Sequence, residues 1–232
     1  MRPSPGSAET GGPPGRLLRF VLAERLAHWI KAAFFLVAAA GGLLMWIPRT
    51  RELMGARRLQ FSHLHAGIGI LMIVVPLVIL ITLDRRRFAE DLREVDVWDQ
   101  DDRRWFWAAL RLRTIRGKDM PPQGRLNAGQ KVSSVLVSLL AVGLLVTGCI
   151  LLVRAHAPAW LVSRALALHM ILAVGALALF VGHIGHVFLT RHGHDSLRAM
   201  LGGTMSDEIA RERHEKWWRE TGERSKDRPP AP

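Results

Sequence analysis

Cysteine is almost absent from this chain of 232 residues: Cys149 is the only one. A lone thiol excludes a disulfide within the chain, and no CxxCH run exists to attach a c-type haem covalently. The GxGxxG and GxxxxGK[ST] phosphate loops are missing, as is a plausible nucleophile triad, so nucleotide and acyl-transfer chemistry have no support. Acidic residues are few, 20 against 32 Lys and Arg, which leaves a net charge of +12. No apolar stretch ending in a small-residue cleavage site precedes the first long apolar run, so no secretory leader is expected. There is no internal repeat.

Long apolar runs are what the chain has in quantity. Four of them, at about 26–47, 64–83, 132–153 and 165–189, alternate with charged stretches. A bilayer core is crossed by roughly 20 apolar residues of helix, and in lipid every backbone N–H and C=O must be paired within the segment. The expected fold is therefore all-α: an integral membrane four-helix bundle. Residues 1–15, rich in Pro, Gly and small polar side chains, read as a disordered tail. Residues 16–205 read as one membrane domain with a long loop over 84–131, and 206–232 as a polar tail. Trp98, Trp105, Phe106 and Trp107 among mixed charges in that loop predict helices lying on the membrane surface. Residues from about Ser206 to Glu220 predict a polar helix, and the last dozen residues a loose end.

The positive charge is placed asymmetrically. Twenty-six of the Lys and Arg residues fall in 1–31, 84–131 and 190–232, and six in 48–60 and 154–164. Cytoplasmic flanks collect Lys and Arg, so both termini are expected in the cytoplasm of a bacterial inner membrane. Trp46 and Trp160 then mark the opposite edge. Charge used this way does not point to nucleic acid.

With that orientation, four histidines sort by depth. His65 and His169 lie near the outer face, His28 and His183 near the inner one. Fourteen residues separate His169 from His183, close to four whole turns and about 21 Å of rise, so both project from nearly one stripe. Two imidazoles at one depth on different helices are what a bis-ligated haem iron requires, and bundle cores are where such sites are built. Small residues (Ala38 to Gly42, Ala66, Gly67, Gly69, Ala173, Gly175) would let a macrocycle approach. The alternative is that these residues only pack membrane helices tightly and that the histidines sit singly among headgroups. His63 reads as interfacial. His156, His192, His194 and His214 lie in polar flanks and read as solvated.

The stretches RLAHWIKAAFFLVAAAGG, LHAGIGI, LNAGQK, LLVTG and GTMSDEIARERHEKWWRE resemble the cytochrome b (gamma) subunit of membrane-bound formate dehydrogenase. The likeness runs from about residue 16 to 220. It implies a subunit with two b haems. Electrons would come from an iron–sulfur subunit, itself fed by a molybdenum or tungsten catalytic subunit, and pass to quinone near the cytoplasmic face. It implies His65 and His169 on the outer haem iron, and His28 with a histidine low on span 4 on the inner one. The family spacing favours His183, while aligning backward from HGHDSLRAM favours His186, which otherwise lies by the quinone or the haem propionates. Asn127, Gly129 and Gln130 would line the quinone pocket beside the inner haem. Asn127 is also suited to cap span 3, a preferred role for Asn.

Other readings stay open: a cytochrome b subunit of a hydrogenase or another molybdoenzyme, or a haem-free membrane anchor or transporter. Pro76 is expected to kink span 2 unless a neighbour re-satisfies the freed carbonyl. Lys31 is expected to snorkel to the inner interface. Arg154 and Arg164 are interface charges that could reach haem propionates.

Overall fold

The computed structural model describes residues 15–111 and 120–226. Apolar side chains on every face are what make a helix stable in lipid, and four helices meet the length and composition needed to cross a membrane. They are α1 (Leu22–Trp46), α3 (Arg58–Asp96), α5 (Ala128–Leu152) and α6 (Ala159–Leu189), with a short α2 (Pro48–Met54) between the first two. At 1.5 Å per residue, α1 and α5 are each about 37 Å long, more than a hydrocarbon core of about 30 Å. The chain is an all-α membrane helical protein, as its composition predicts. The proline- and glycine-rich start, residues 112–119 and the last six residues lie outside the described residues.

α3 carries Pro76 in its interior without leaving helical dihedrals; Met72 and Pro76 are both buried. The helical dihedrals continue through it. The break comes instead at Asp84 (φ −155°, ψ 73°). Its Oδ1 accepts from the Arg87 backbone N–H at 2.9 Å, which restarts the helix as an N-cap does.

The chain divides into two compact units. The first comprises Ala23–Phe88 and Leu136–His186, the apolar lengths of the four long helices. Within it, α1 meets α6 through Phe35 and Phe180, 5.1 Å between ring centres. α5 meets α6 where Leu172 fills the space a side chain on Gly143 would need.

The second unit gathers the described residues of Met1–Leu22, Ala89–Val135 and Val187–Pro232. It contains β1 (Arg16–Leu18), α4 (Gln100–Leu110), α7 (Arg191–Gly202), β2 (Thr204–Ser206), α8 (Asp207–Arg213) and α9 (Glu215–Lys226). β1 and β2 pair antiparallel with Leu17 opposite Met205. Gly203, at φ 84°, ends α7 in the left-handed region that favours glycine. Its carbonyl accepts from the N–H groups of Arg19 and Phe20. Phe20, Ala199, Met205 and Ala210 form the core here, with Leu126, Trp217 and Trp218 packed on it. The tail is thus two helices hinged at His214 rather than one, and α9 continues through Lys226 where a loose end is expected.

Candidate functional site

In the first unit the four histidines meet in pairs. The rings of His65 (α3) and His169 (α6) are 6.2 Å apart, centre to centre, at 74°. Those of His28 (α1) and His183 (α6) are 6.3 Å apart at 60°. Two imidazole nitrogens each about 2.0 Å from one metal ion, with ring centres about 1.1 Å further out, place the centres about 6.2 Å apart. Rings that share such an axis rotate freely about it, so either angle is acceptable. Among the described residues no three of His, Cys, Asp and Glu converge, so each pair is a meeting of two imidazoles alone. His186, three residues along α6 from His183, is exposed, as are His183 and His63, and only His183 meets the His28 ring among the described ring pairs.

Hydrogen bonds fix which nitrogen of His169 is free. Thr147 Oγ1 donates its one hydrogen to the Gly143 carbonyl at 2.7 Å. With its hydrogen on a carbonyl of its own helix, the hydroxyl accepts, at 2.8 Å, from Nδ1–H of His169 in the Nδ1–H tautomer. That leaves the Nε2 lone pair of a neutral ring, the form that binds a metal. His65 turns its buried Nδ1 toward α1, beside the Ala38 carbonyl. A Cβ on Gly42 would come within 3.3 Å of His65 Cε1, and one on Gly148 within 3.6 Å of His169 Cε1. The glycines are the cradle in which the rings lie, so the donor set fits an axially ligated haem. Thr147 lies within LLVTG, yet a threonine in a span reads as bonding its own helix, which this one also does.

Separation alone is not diagnostic. In the second unit His192 and His214 are also 6.2 Å apart, tilted by 32°. There His214 is fully buried, with Nδ1 on the Gly124 carbonyl at 2.7 Å. His192 is partly exposed, so that pair differs from the others in having one ring sealed within the second unit. The expectation that His214 is solvated is corrected: the 120–127 segment and the tail close over it.

LNAGQK opens α5 in the second unit. Asn127 Oδ1 accepts from the Gln130 N–H at 2.9 Å, and Gln130 Oε1 accepts from the Asn127 N–H at 3.0 Å. This is a reciprocal cap of the helix start. Arg19 Nη2 also donates to Gln130 Oε1 at 3.4 Å. With both oxygens turned to these donors, Nδ2 of Asn127 and Nε2 of Gln130 make no hydrogen bond among the described residues. The cap occupies the side-chain oxygens and leaves the amide nitrogens out of the turn's own hydrogen bonds.

Gly129 has a local reason to be small. A Cβ there would lie 2.9 Å from Cη2 of Trp105, which covers the turn. Gly129→Ala is expected to cost about 1–3 kcal/mol by overpacking, and Trp105→Leu should relieve it. Melting of the two variants and their combination checks both.

Charged groups missed by the sequence reading surround this turn. Arg19 and Arg125 are buried and both lie over the Phe20 ring. Arg125 pairs with Asp91 and Glu94, and Glu94 Oε1 accepts from the Leu126 N–H at 2.7 Å. Arg154 reaches Ser62 and Arg164 lies over the Trp160 ring.

Burial, then the Arg19 guanidinium, hold the His214 imidazole down to about 3; His192 and Arg213 add to this and the Gly124 bond opposes it. An unfolded histidine takes its proton near 6.5. Between about 6.5 and 3 the unfolded state therefore binds more protons, and stability falls as pH drops through that window. At pH 5 the expected loss is about 2 kcal/mol. Proteolysis of the tail should quicken at pH 5 relative to pH 7.5, and His214→Asn should flatten the difference.

The family model described as Prokaryotic cytochrome b561 matches residues 19–203. The cytochrome b556(fdo) subunit of formate dehydrogenase from Escherichia coli K12 is 29% identical over 210 residues, 88% of this chain and 92% of that protein. The nitrate-inducible formate dehydrogenase cytochrome b556(Fdn) subunit of the same strain is 24% identical over 213 residues, with 88% and 91% covered. The formate dehydrogenase cytochrome b556 subunit of Haemophilus influenzae is 23% identical over 209 residues, with 88% and 83% covered. Four membrane-length helices, paired imidazoles on three of them and a family match across most of the chain lead to one conclusion: this protein belongs to the prokaryotic cytochrome b561 family.

Proposed function

We propose that the chain is the membrane electron-transfer subunit of a formate dehydrogenase complex, holding two b haems and delivering electrons to quinone. The observation that carries this is the stacking of two imidazole pairs on α6, each spaced for one iron. The relatives' names, cytochrome b556 subunits of formate dehydrogenases, supply the complex. His65 and His169 would hold the outer haem, and His28 and His183 the inner one, with His186 the alternative to His183. Haem b, when bound, supplies one-electron transfer at each level.

The rest is the work of the chain's own residues. Thr147 holds His169 in one tautomer, and Gly42 and Gly148 leave room for the rings. At the start of α5, Nδ2 of Asn127 and Nε2 of Gln130 donate to a quinone carbonyl without bringing charge. Gly129 keeps that turn closed under Trp105, and His186 is a separate candidate for quinone contact. Quinone reduction takes two electrons and two protons. With the distribution of Lys and Arg putting both termini in the cytoplasm of the inner membrane, the protons come from that side and the electrons from the other. The donor is an iron–sulfur subunit, and formate is oxidised on a molybdenum or tungsten partner.

The test is purification from haem-supplied cells. Two haems per chain by pyridine haemochrome, and co-purification of a formate-oxidising subunit, are expected. A hydrogenase among the partners would change the donor. A colourless protein would overturn the cytochrome and favour an anchor or transporter.

A further inference from the structure

His214 is the side chain the functional reading leaves over. It sits at the hinge between α8 and α9, fully buried, and its Nε2 is sealed from solvent without a hydrogen-bond partner. A buried polar atom left so calls for an explanation. A metal ion is a poor occupant of the space by His192, because Arg19 and Arg213 already bring positive charge to it. What His214 does hold is the chain ahead of α5. Its Nδ1–H donates to the Gly124 carbonyl at 2.7 Å. Two residues on, the Lys216 N–H donates to the Gln123 carbonyl at 3.1 Å. Gln123 then passes the constraint forward, since its Oε1 accepts from the Ala128 N–H in the first turn of α5 at 2.8 Å.

Residues 120–127 have no helix or strand of their own. Besides the tail, they are held by Asp91 and Glu94 through Arg125 and by Arg19 through the Arg125 carbonyl at 3.1 Å. Those ties grip Arg125 and Leu126. The His214 and Lys216 bonds tie the carbonyls of 123–124 to the tail, and the Gln123 side chain carries that hold to the cap of Asn127 and Gln130.

We infer that His214 is a positioning residue for quinone: through Gly124 and Gln123 it holds the first turn of α5 so that Asn127 and Gln130 present their N–H groups to the substrate. This rests on the reading that α5 opens the quinone site. His214 itself touches no substrate. Its loss should therefore appear in the Michaelis constant for quinone, with haem binding in the first unit unaffected.

The experiment uses the assembled, haem-loaded complex and a soluble short-chain quinone analogue. His214→Leu is expected to raise KM for the analogue roughly tenfold, the worth of one buried hydrogen bond, with haem content and the dithionite-reduced spectrum unchanged. His214→Asn, whose Nδ2 can replace Nδ1–H on Gly124, should return KM to within about threefold of the parent. Should His214→Leu fail to accumulate, Gln123→Ala removes only the next link and is expected to raise KM in the same way. An unchanged KM in His214→Leu or Gln123→Ala overturns the inference, as does His214→Asn losing as much as His214→Leu. The underlying reading is tested apart: Asn127→Ala together with Gln130→Ala leaving KM untouched would overturn the quinone site itself.

Discussion

If the two imidazole pairs each hold a haem, as proposed, His65→Leu is expected to remove one haem and leave the other. His65 pairs with His169 and with no other of the four histidines, and His28 pairs with His183. The pairs share only α6, where fourteen residues, about 21 Å of helix, lie between His169 and His183. Losing one imidazole would leave an iron held at that level with a single protein ligand, and leaves the second pair intact. Haem per chain should fall from about two to about one, with half the reduced b-type absorbance gone. His183→Leu should remove the other haem. His186→Leu should keep both, which separates the two candidates on α6. Thr147→Val should keep both haems but raise the potential of one, because imidazole donates less to iron once its Nδ1–H loses an acceptor. Retention of two haems by the His65 variant would remove the basis of the pairing.

Much of this site is legible from spacing, and the reason is physical. A membrane span must be helical and of nearly fixed length, so depth can be counted along the chain and His28, His65, His169 and His183 sort into levels without coordinates. The same constraint makes the four long helices legible. It does not reach Asp84, where α3 breaks because a short polar side chain bonds its own backbone. Nor does it show that α3 passes Pro76 unbroken, which depends on what packs around Met72 and Pro76.

Thr147 marks the limit on the site. Its residue type is visible, but its partner, twenty-two residues on, is set by how α5 faces α6. Outside the bilayer no such ruler exists. His214 stands among Arg, Glu and Lys, and a local reading places it in water. Its burial comes from Gly124, ninety residues earlier, meeting it in the folded unit. Gly129 is similar: the family resemblance of LNAGQK implies ligand binding, while Trp105 explains its size.

The second large effect expected is at Asp102. Its Oδ2 meets Lys131 Nζ at 2.7 Å, with both side chains less than a tenth exposed, and the Val97 carbonyl is the ammonium's other partner at 3.0 Å. The same carboxylate closes the cap of α4, accepting from the Asp99 N–H at 3.3 Å. Asp102→Asn leaves a buried cation without its counter-charge, a change that costs about 3–5 kcal/mol. Lys216 also ties α4, through Asp99 and Asp101, but at half-exposed positions where an ion pair contributes about 0–1 kcal/mol. Lys216→Met should therefore change little in α4, while Asp102→Asn loosens it from the start of α5, seen as faster hydrogen exchange over residues 100–110. Replacing both partners, Asp102→Leu with Lys131→Met, removes the stranded charge and should recover most of the loss, short of the cap's own ~1 kcal/mol. If the double variant exchanges as fast as Asp102→Asn alone, the charge is not what holds α4, and the cap at Asp99 carries the weight instead.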